Sequence, residues 1–194
     1  MINLIRKLRR LFYTYNIDGY IIPKNDEFFS EYASNDRLKK ITNFTGSAGY
    51  AIILKNKNYL FVDSRYSIQA KIESGKKFEI KSFETLFDFK KIRKFTIGID
   101  PALFTNEQIK KIFPRKNFKI LEKNVVDQII SYKNLRVNKF YTLNKKIVGQ
   151  GHISKINKII NFLKISKIDN IFISAPENVA WLLNIRGKDS PTSP

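Results

Sequence analysis

Residues 50–63 read YAIIL, KNKN, YLFVD: two apolar, β-rich runs separated by four polar residues. The middle four have the composition of a hairpin turn, so residues 59–63 return as the second arm. Around this hairpin the apolar period changes repeatedly. Ile2, Ile5, Leu8, Leu11/Phe12 and Tyr15 recur every three to four residues and predict an amphipathic helix closing at Asn16. Asp18-Gly19 form a turn, and Tyr20–Ile22 predict a short buried strand stopped by Pro23. Asp36 caps a helix over RLKKITNF. Asp63 or Ser64 opens a helix over RYSIQAKIES that Gly75 ends. FEIKSF (78–83), FTIGID (95–100) and FKIL (118–121) predict strands. TLFDFKKI (85–92), NEQIKKIF behind Thr105 or Asn106, and VVDQII behind Asn124 predict helices between and after them. Strands and helices that alternate after an initial hairpin spell an α/β domain: three layers, a mixed sheet with helices on both faces.

That domain spans residues 1–131. Residues 132–146 are basic and weakly patterned, a linker. A second unit starts at 147. HISKINKIINFLK sets Ile153, Ile156, Ile159/Ile160 and Leu163 on one stripe. Asp169-Asn170 turn the chain, IFIS (171–174) predicts a strand, and Pro176-Glu177 open a helix containing Trp181. The order helix, turn, strand repeats that of residues 2–22. The second unit carries one strand, so its apolar stripe lies poorly covered unless something else supplies the rest of a sheet.

Several chemistries are excluded by residue type. The chain has no cysteine, hence no disulfide, thiolate metal site or cysteine nucleophile, and one histidine, His152, hence no multi-histidine metal site of its own. His152 reads as a surface position at a helix start. No apolar run reaches bilayer length, and no small-residue cleavage site follows the basic first helix. A cytoplasmic location and no membrane partner are expected. The net charge is +19 and the pI near 10.0, which predicts salt-sensitive attraction to polyanions. The lysines punctuate every element (Lys39-Lys40, Lys55, Lys57, Lys90-Lys91, Lys110-Lys111) rather than gathering in one tract or on one face, so no specific nucleic-acid partner is expected.

The glycines of FTGSAG (44–49) raise the question of a phosphate cradle. A Walker loop needs a following Lys-Ser/Thr, and a dinucleotide fingerprint needs three glycines between strand and helix. Neither is present. Gly46 suits the left-handed position that ends a helix, Ala48 and Gly49 permit close packing as the strand begins, Asp63 caps, and Arg65 pairs with it or with a carbonyl. These are framework roles.

GYIIP, SEY, DRLKKITNFTGSAG, VDSRYSIQA, IGIDPALFT and NVVDQI, in that order, resemble the N-terminal domain of the Xaa-Pro aminopeptidases of the creatinase/prolidase superfamily. The usual pattern there is FTGSAG, a hairpin, then DGRYxxQA. ENVAWLLNIRGKDSPTSP resembles the start of a second, similar domain in the long three-domain form, and Trp181, Asn184, Arg186, Gly187 and Asp189 fit its pattern. The residues carrying the resemblance in the first unit are Phe44, Thr45, Gly46, Ser47, Ala48, Gly49, Asp63, Arg65 and Tyr66. Two departures are visible: Ser64 replaces a usual Gly, and IISYKNL follows Asp127 where a Trp and an Arg-Pro segment are common.

The resemblance implies a ribonuclease-H-like strand arrangement and, for the full-length family, hydrolysis of the bond before a penultimate proline. Two divalent metals, manganese by expectation, would be held in a C-terminal domain that these residues do not include. No catalytic, cofactor or metal residue is assigned to this chain. The implied role is assembly and control of substrate access, with a separate catalytic chain or a second copy of itself as partner, and peptide substrate only in company with the catalytic domain. A nucleic-acid-binding or protein-binding module, or a gene remnant, are the alternatives. Ribonuclease H chemistry is disfavoured because it needs carboxylates converging from the sheet centre, and YII carries none.

Overall fold

The computed structural model describes residues 2–30, 35–130 and 139–187, apart from the side chain of Lys145. The chain forms two compact units, Met1–Lys133 and Asn134–Pro194.

The first unit is built on a six-stranded mixed sheet. Its strands are β1 (Gly19–Pro23), β2 (Gly49–Leu54), β3 (Asn58–Val62), β4 (Glu79–Ser82), β5 (Ile97–Ile99) and β6 (Phe118–Ile120), in the spatial order β4-β3-β2-β1-β5-β6. The hairpin lies at the centre. β2 pairs antiparallel with β3, Tyr50 opposite Phe61, and with β1, Ile52 opposite Ile21. β4 joins β3, and β5 and β6 extend from β1, all in parallel. The apolar arms of the hairpin are apolar because both faces of the sheet are covered. Alternate residues go to opposite cores. Tyr20, Ile22, Ala51, Ile53, Leu60 and Val62 face one, while Ile21, Ile52, Leu54, Tyr59 and Phe61 face the other.

The first core is closed by three helices: α1 (Ile2–Tyr15), α2 (Arg37–Thr42) and α3 (Ser67–Ser74). α1 inserts Ile5, Leu8 and Phe12, each contributing about 1.5–3 kcal/mol by burial. Arg9 ties α1 to the hairpin, donating from Nε to the Leu54 carbonyl at 2.9 Å and from Nη2 to Asn58 at 2.9 Å. The second core is closed by α4 (Asn106–Ile112) and by 3₁₀ turns over Phe83–Asp88 and Lys90–Ile92, which bury Leu86 and Ile92. Thr105 and Gln108 form a reciprocal capping box on α4. The mixed sheet with helices on both faces is therefore the observed architecture.

Four local expectations change. TLFDFKKI is not one α-helix but two 3₁₀ segments broken at Phe89. VVDQII makes only turns: Asn124 Oδ1 does accept from the Val126 amide at 3.0 Å, but no helix propagates. Asp63, not Ser64, accepts the capping bond, from the Arg65 amide, and it caps a 3₁₀ turn (Ser64–Tyr66) ahead of α3. Gly46 does not end α2. Asn43 does, with φ 66° and its amide bonded to the Lys39 carbonyl, an αL position that Asn tolerates.

The second unit holds β7 (Tyr141–Thr142), α5 (Lys145–Val148), α6 (His152–Ile165), α7 (Pro176–Leu183) and β8 (Ile185–Arg186). β7 and β8 form a two-stranded antiparallel ribbon, so the segment read as linker contributes a strand and a helical turn. IFIS does not become a strand. Ile171 and Phe172 are exposed and have no neighbouring strand, and an extended run without a partner leaves its backbone unpaired.

Candidate functional site

The signature residues of the first unit form one clamp between the loop 43–48 and α3. Thr45 donates its amide to Glu73 Oε2 at 2.7 Å and its hydroxyl to Glu73 Oε1 at 2.6 Å. Gln69 Nε2 donates to Thr45 Oγ1 at 2.8 Å and to Glu73 Oε1 at 3.0 Å. Burial pushes the Glu73 carboxyl upward, but the bonds from Thr45 and Gln69 outweigh it and hold the group below its ordinary value. Ser47 and Tyr66 hydroxyls lie 3.0 Å apart, and Tyr66 meets Phe44 edge-on at 5.8 Å. Gln69 lies within the VDSRYSIQA motif and Glu73 on the same predicted helix, but sequence alone assigns neither a role. Their spacing of four on α3, beneath FTGSAG, was the available signal.

The two glycines are steric requirements. A Cβ on Gly46 would stand 2.2 Å from Phe44 Cζ, and one on Gly49 would stand 3.0 Å from the Phe61 carbonyl oxygen. Ala48 is half-buried between them. The loop folds over Phe44, and its Thr45 amide already faces a carboxylate. Asp63 and Arg65 pair with one another at 2.9 Å, and that bond, then the Arg65 amide, holds Asp63 below the usual carboxylate range.

A second cluster joins DRLKKIT to NVVDQI. The Arg37 guanidinium is buried and binds Asp127 with two parallel bonds of 2.8 Å each, and Glu27 with one of 2.6 Å. Burial alone would lower Arg37, while the two carboxylates raise it. Lys24 pairs with Asp36 at the start of α2. Ser30 of the SEY motif is buried; the rest of that motif lies outside the described residues. Asp18 accepts from Lys55 at 2.6 Å and from the Thr96 amide at 3.0 Å, pinning the hairpin turn to the start of β5. The Lys55 bond, first, holds it below its ordinary value.

In the second unit the signature residues build a helix stop around Lys155, a residue the sequence did not point to. Lys155 is buried and donates from Nζ to the Trp181 carbonyl and to Asn184 Oδ1, both at 2.7 Å, with the ammonium 4.0 Å from the Trp181 ring centre. Asn184 ends α7 in the left-handed region, φ 54°, and its side-chain Nδ2 donates to the Gln150 carbonyl at 3.0 Å. Arg186 donates to the Ala180 and Ile185 carbonyls. Gly187 is half-buried, and Asp189 lies outside the described residues. His152 is the exposed first residue of α6.

The hydroxyl–carboxylate contact in these clusters, Thr45 with Glu73, is held in the loop–helix clamp by the Thr45 amide and Gln69. Among the described residues no three His, Cys, Asp or Glu side chains converge so as to hold a metal ion. Asp18, Asp63, Glu73 and Asp127 are each held by a structural partner, and among the described residues no helix is long and apolar enough to cross a membrane.

A family model described as the creatinase/prolidase N-terminal domain matches residues 5–129, and a second model of the same description matches residues 133–194. A probable Xaa-Pro aminopeptidase P of Laccaria bicolor is 33% identical over 207 residues, covering 98% of this chain and 32% of the relative. Aminopeptidase P2 of Arabidopsis thaliana is 31% identical, covering 98% and 30%. The crystal structure of the X-prolyl aminopeptidase of Caenorhabditis elegans, described as a cytosolic enzyme with a di-nuclear active site, superposes with a TM-score of 0.81 at 25% identity, over 98% of this chain and 35% of that one. The isolated N-terminal domain of the Mycobacterium tuberculosis peptidase PepQ, 15% identical with a TM-score of 0.53, shares the fold over 66% of this chain. The chain thus spans about a third of the length of the curated relatives it matches. It belongs to the creatinase/prolidase N-terminal domain family.

Proposed function

We propose that this chain is the assembly and substrate-access portion of a metal-dependent Xaa-Pro aminopeptidase and carries none of the residues that break the peptide bond. The observation behind this reading is the commitment of its carboxylates. Asp18 faces Lys55, Asp63 faces Arg65, Asp127 faces Arg37 and Glu73 faces Thr45. A two-metal centre needs carboxylates converging on a shared point with room for a water, and these four are dispersed as caps and ion pairs. The residues present do not fit such a centre. The two divalent metals, manganese by expectation, belong to the catalytic domain. The alignment at about a third of the relatives' length is consistent with this division of labour. The cytoplasm is the proposed compartment, by analogy with the Caenorhabditis elegans enzyme.

An activity assay tests the reading in two arms. The 194-residue chain, supplied with Mn²⁺, should release no N-terminal residue from Xaa-Pro peptides. A chimera in which this chain replaces the matched third of the Laccaria bicolor relative should cleave them and keep a preference for short peptides. Metal-dependent release by the chain alone overturns the reading. So does a folded chimera that cleaves long and short peptides equally well.

A further inference from the structure

The lysines that look scattered in sequence are not scattered in space. Three segments meet at the turn end of the hairpin and enclose a cavity of about 820 Å³. The hairpin turn brings Lys55 and Lys57. The run before β5 brings Lys90, Lys91, Arg93 and Lys94, and the connection from α4 to β6 brings Arg115. The floor is apolar: Leu54, Tyr59 and Phe95.

The only acid in the lining, Asp18, is already bound to Lys55 and to the Thr96 amide. At the rim Asp88 binds Arg93 at 2.5 Å, and Glu79 lies 3.9 Å from Lys91. Lys57, Lys90 and Arg115 are exposed, with no salt bridge among the described residues. Lys91 and Lys94 stand over the rings of Tyr59 and Phe95 at 5.9 and 5.3 Å. Like charges brought together over a low-dielectric floor repel one another and concentrate a positive field in the cleft, which an anion relieves.

We propose that this groove binds nucleotide phosphates, in a single strand or as free nucleotide, without sequence preference. The cationic rim meets the phosphates, and half-buried Phe95 is the ring left to meet a base, because Tyr59 and Leu54 are buried beneath the groove. A volume of this order suits a small ligand or a few nucleotides. The surface is concave, whereas a duplex is read by an element that projects into its groove. Asn56 is the only side-chain amide in the lining, so base edges are not read, and no sequence-specific partner is implied.

The test is fluorescence anisotropy of a labelled oligo-dT strand on the full chain, titrated over a series of salt concentrations, with ATP and a poly-glutamate peptide as competitors. The triple variant K57Q/K90Q/K94Q is compared with K7Q/K40Q/K123Q, which removes the same charge from exposed lysines elsewhere on the first unit. The groove variant should bind about tenfold more weakly, and its salt slope should fall by about 2, since each phosphate contact on a single strand contributes about 0.7. The control should change by less than about threefold. Competition by ATP at concentrations matched in phosphate assigns free nucleotide as a ligand; its failure restricts the site to the strand. Equal loss in both variants overturns the proposal, because binding is then diffuse. Displacement by poly-glutamate as effective as by nucleotide overturns it as well, because the groove then takes carboxylates.

Discussion

The two units match models of the same description and open with the same order of helix, turn and apolar run, yet they keep their apolar residues in opposite places. Every buried hydrophobic side chain among the described residues lies between Ile5 and Val126, in the first unit. Among the described residues of the second unit the buried ones are polar, Lys155 and Asn184, while Ile153, Ile160, Phe162, Ile165 and Phe172 are exposed. The difference is the sheet. In the first unit six strands give the helices two faces to cover. In the second a ribbon of two-residue strands offers no such face, and the helix-stop network of Lys155 supplies the local order. A helix satisfies its backbone alone; a buried core needs a surface to be buried against.

The largest test of this contrast is truncation of one apolar residue in each unit. Phe61→Ala should cost about 3–5 kcal/mol, whereas Ile160→Ala should cost less than about 0.5 kcal/mol, both read by urea unfolding with far-UV circular dichroism. Similar losses would break the comparison. Next is the buried arginine. Asp127→Ala removes the bidentate partner of buried Arg37 and leaves it Glu27 alone, and should cost about 3 kcal/mol. The double variant R37L/D127L should recover most of that loss, because the uncompensated charge goes with its partner.

A smaller effect separates the glycines. Gly46→Ala drives a Cβ into Phe44 and should lower stability by about 1–3 kcal/mol, while Gly151→Ala, with nothing within 4 Å of the added carbon, should change it by less than about 0.5 kcal/mol. Calorimetric melting of the two single variants measures both. Acid gives the smallest signal. Asp18 and Glu73 titrate below their ordinary values when folded, so the stability they contribute is complete above the unfolded carboxylate range. It is lost as the pH falls through the lower, folded values, within the window of about pH 5 to pH 1. D18N/E73Q should flatten the fall in urea midpoint over that window. An unaltered slope would mean that these hydrogen bonds contribute nothing measurable.

Local signals in the sequence were legible where local physics decides. The hairpin, the caps at Asp36 and Thr105 and the end of α3 at Gly75 all follow from turn chemistry and side-chain type. What the sequence hid is non-local. IFIS has the composition of a strand, but pairing depends on a neighbour that composition does not reveal. Gly46 looked like a helix terminus; Asn43 takes that conformation, and the glycine is needed because a ring two residues earlier folds back over it. The basic groove was invisible because residues 55, 91 and 115 are far apart along the chain. Lys155 looked like one more surface lysine between isoleucines, and only its distance to Trp181 and Asn184 shows otherwise.

Trp181 is the chain's one tryptophan, and it sits in the smaller unit under an ammonium group. Light absorbed above the tyrosine band is therefore emitted from that unit alone. A melt followed by indole emission would observe the smaller unit, one followed by peptide ellipticity the helices of both, and a gap between the two curves would mark separate unfolding of the two units.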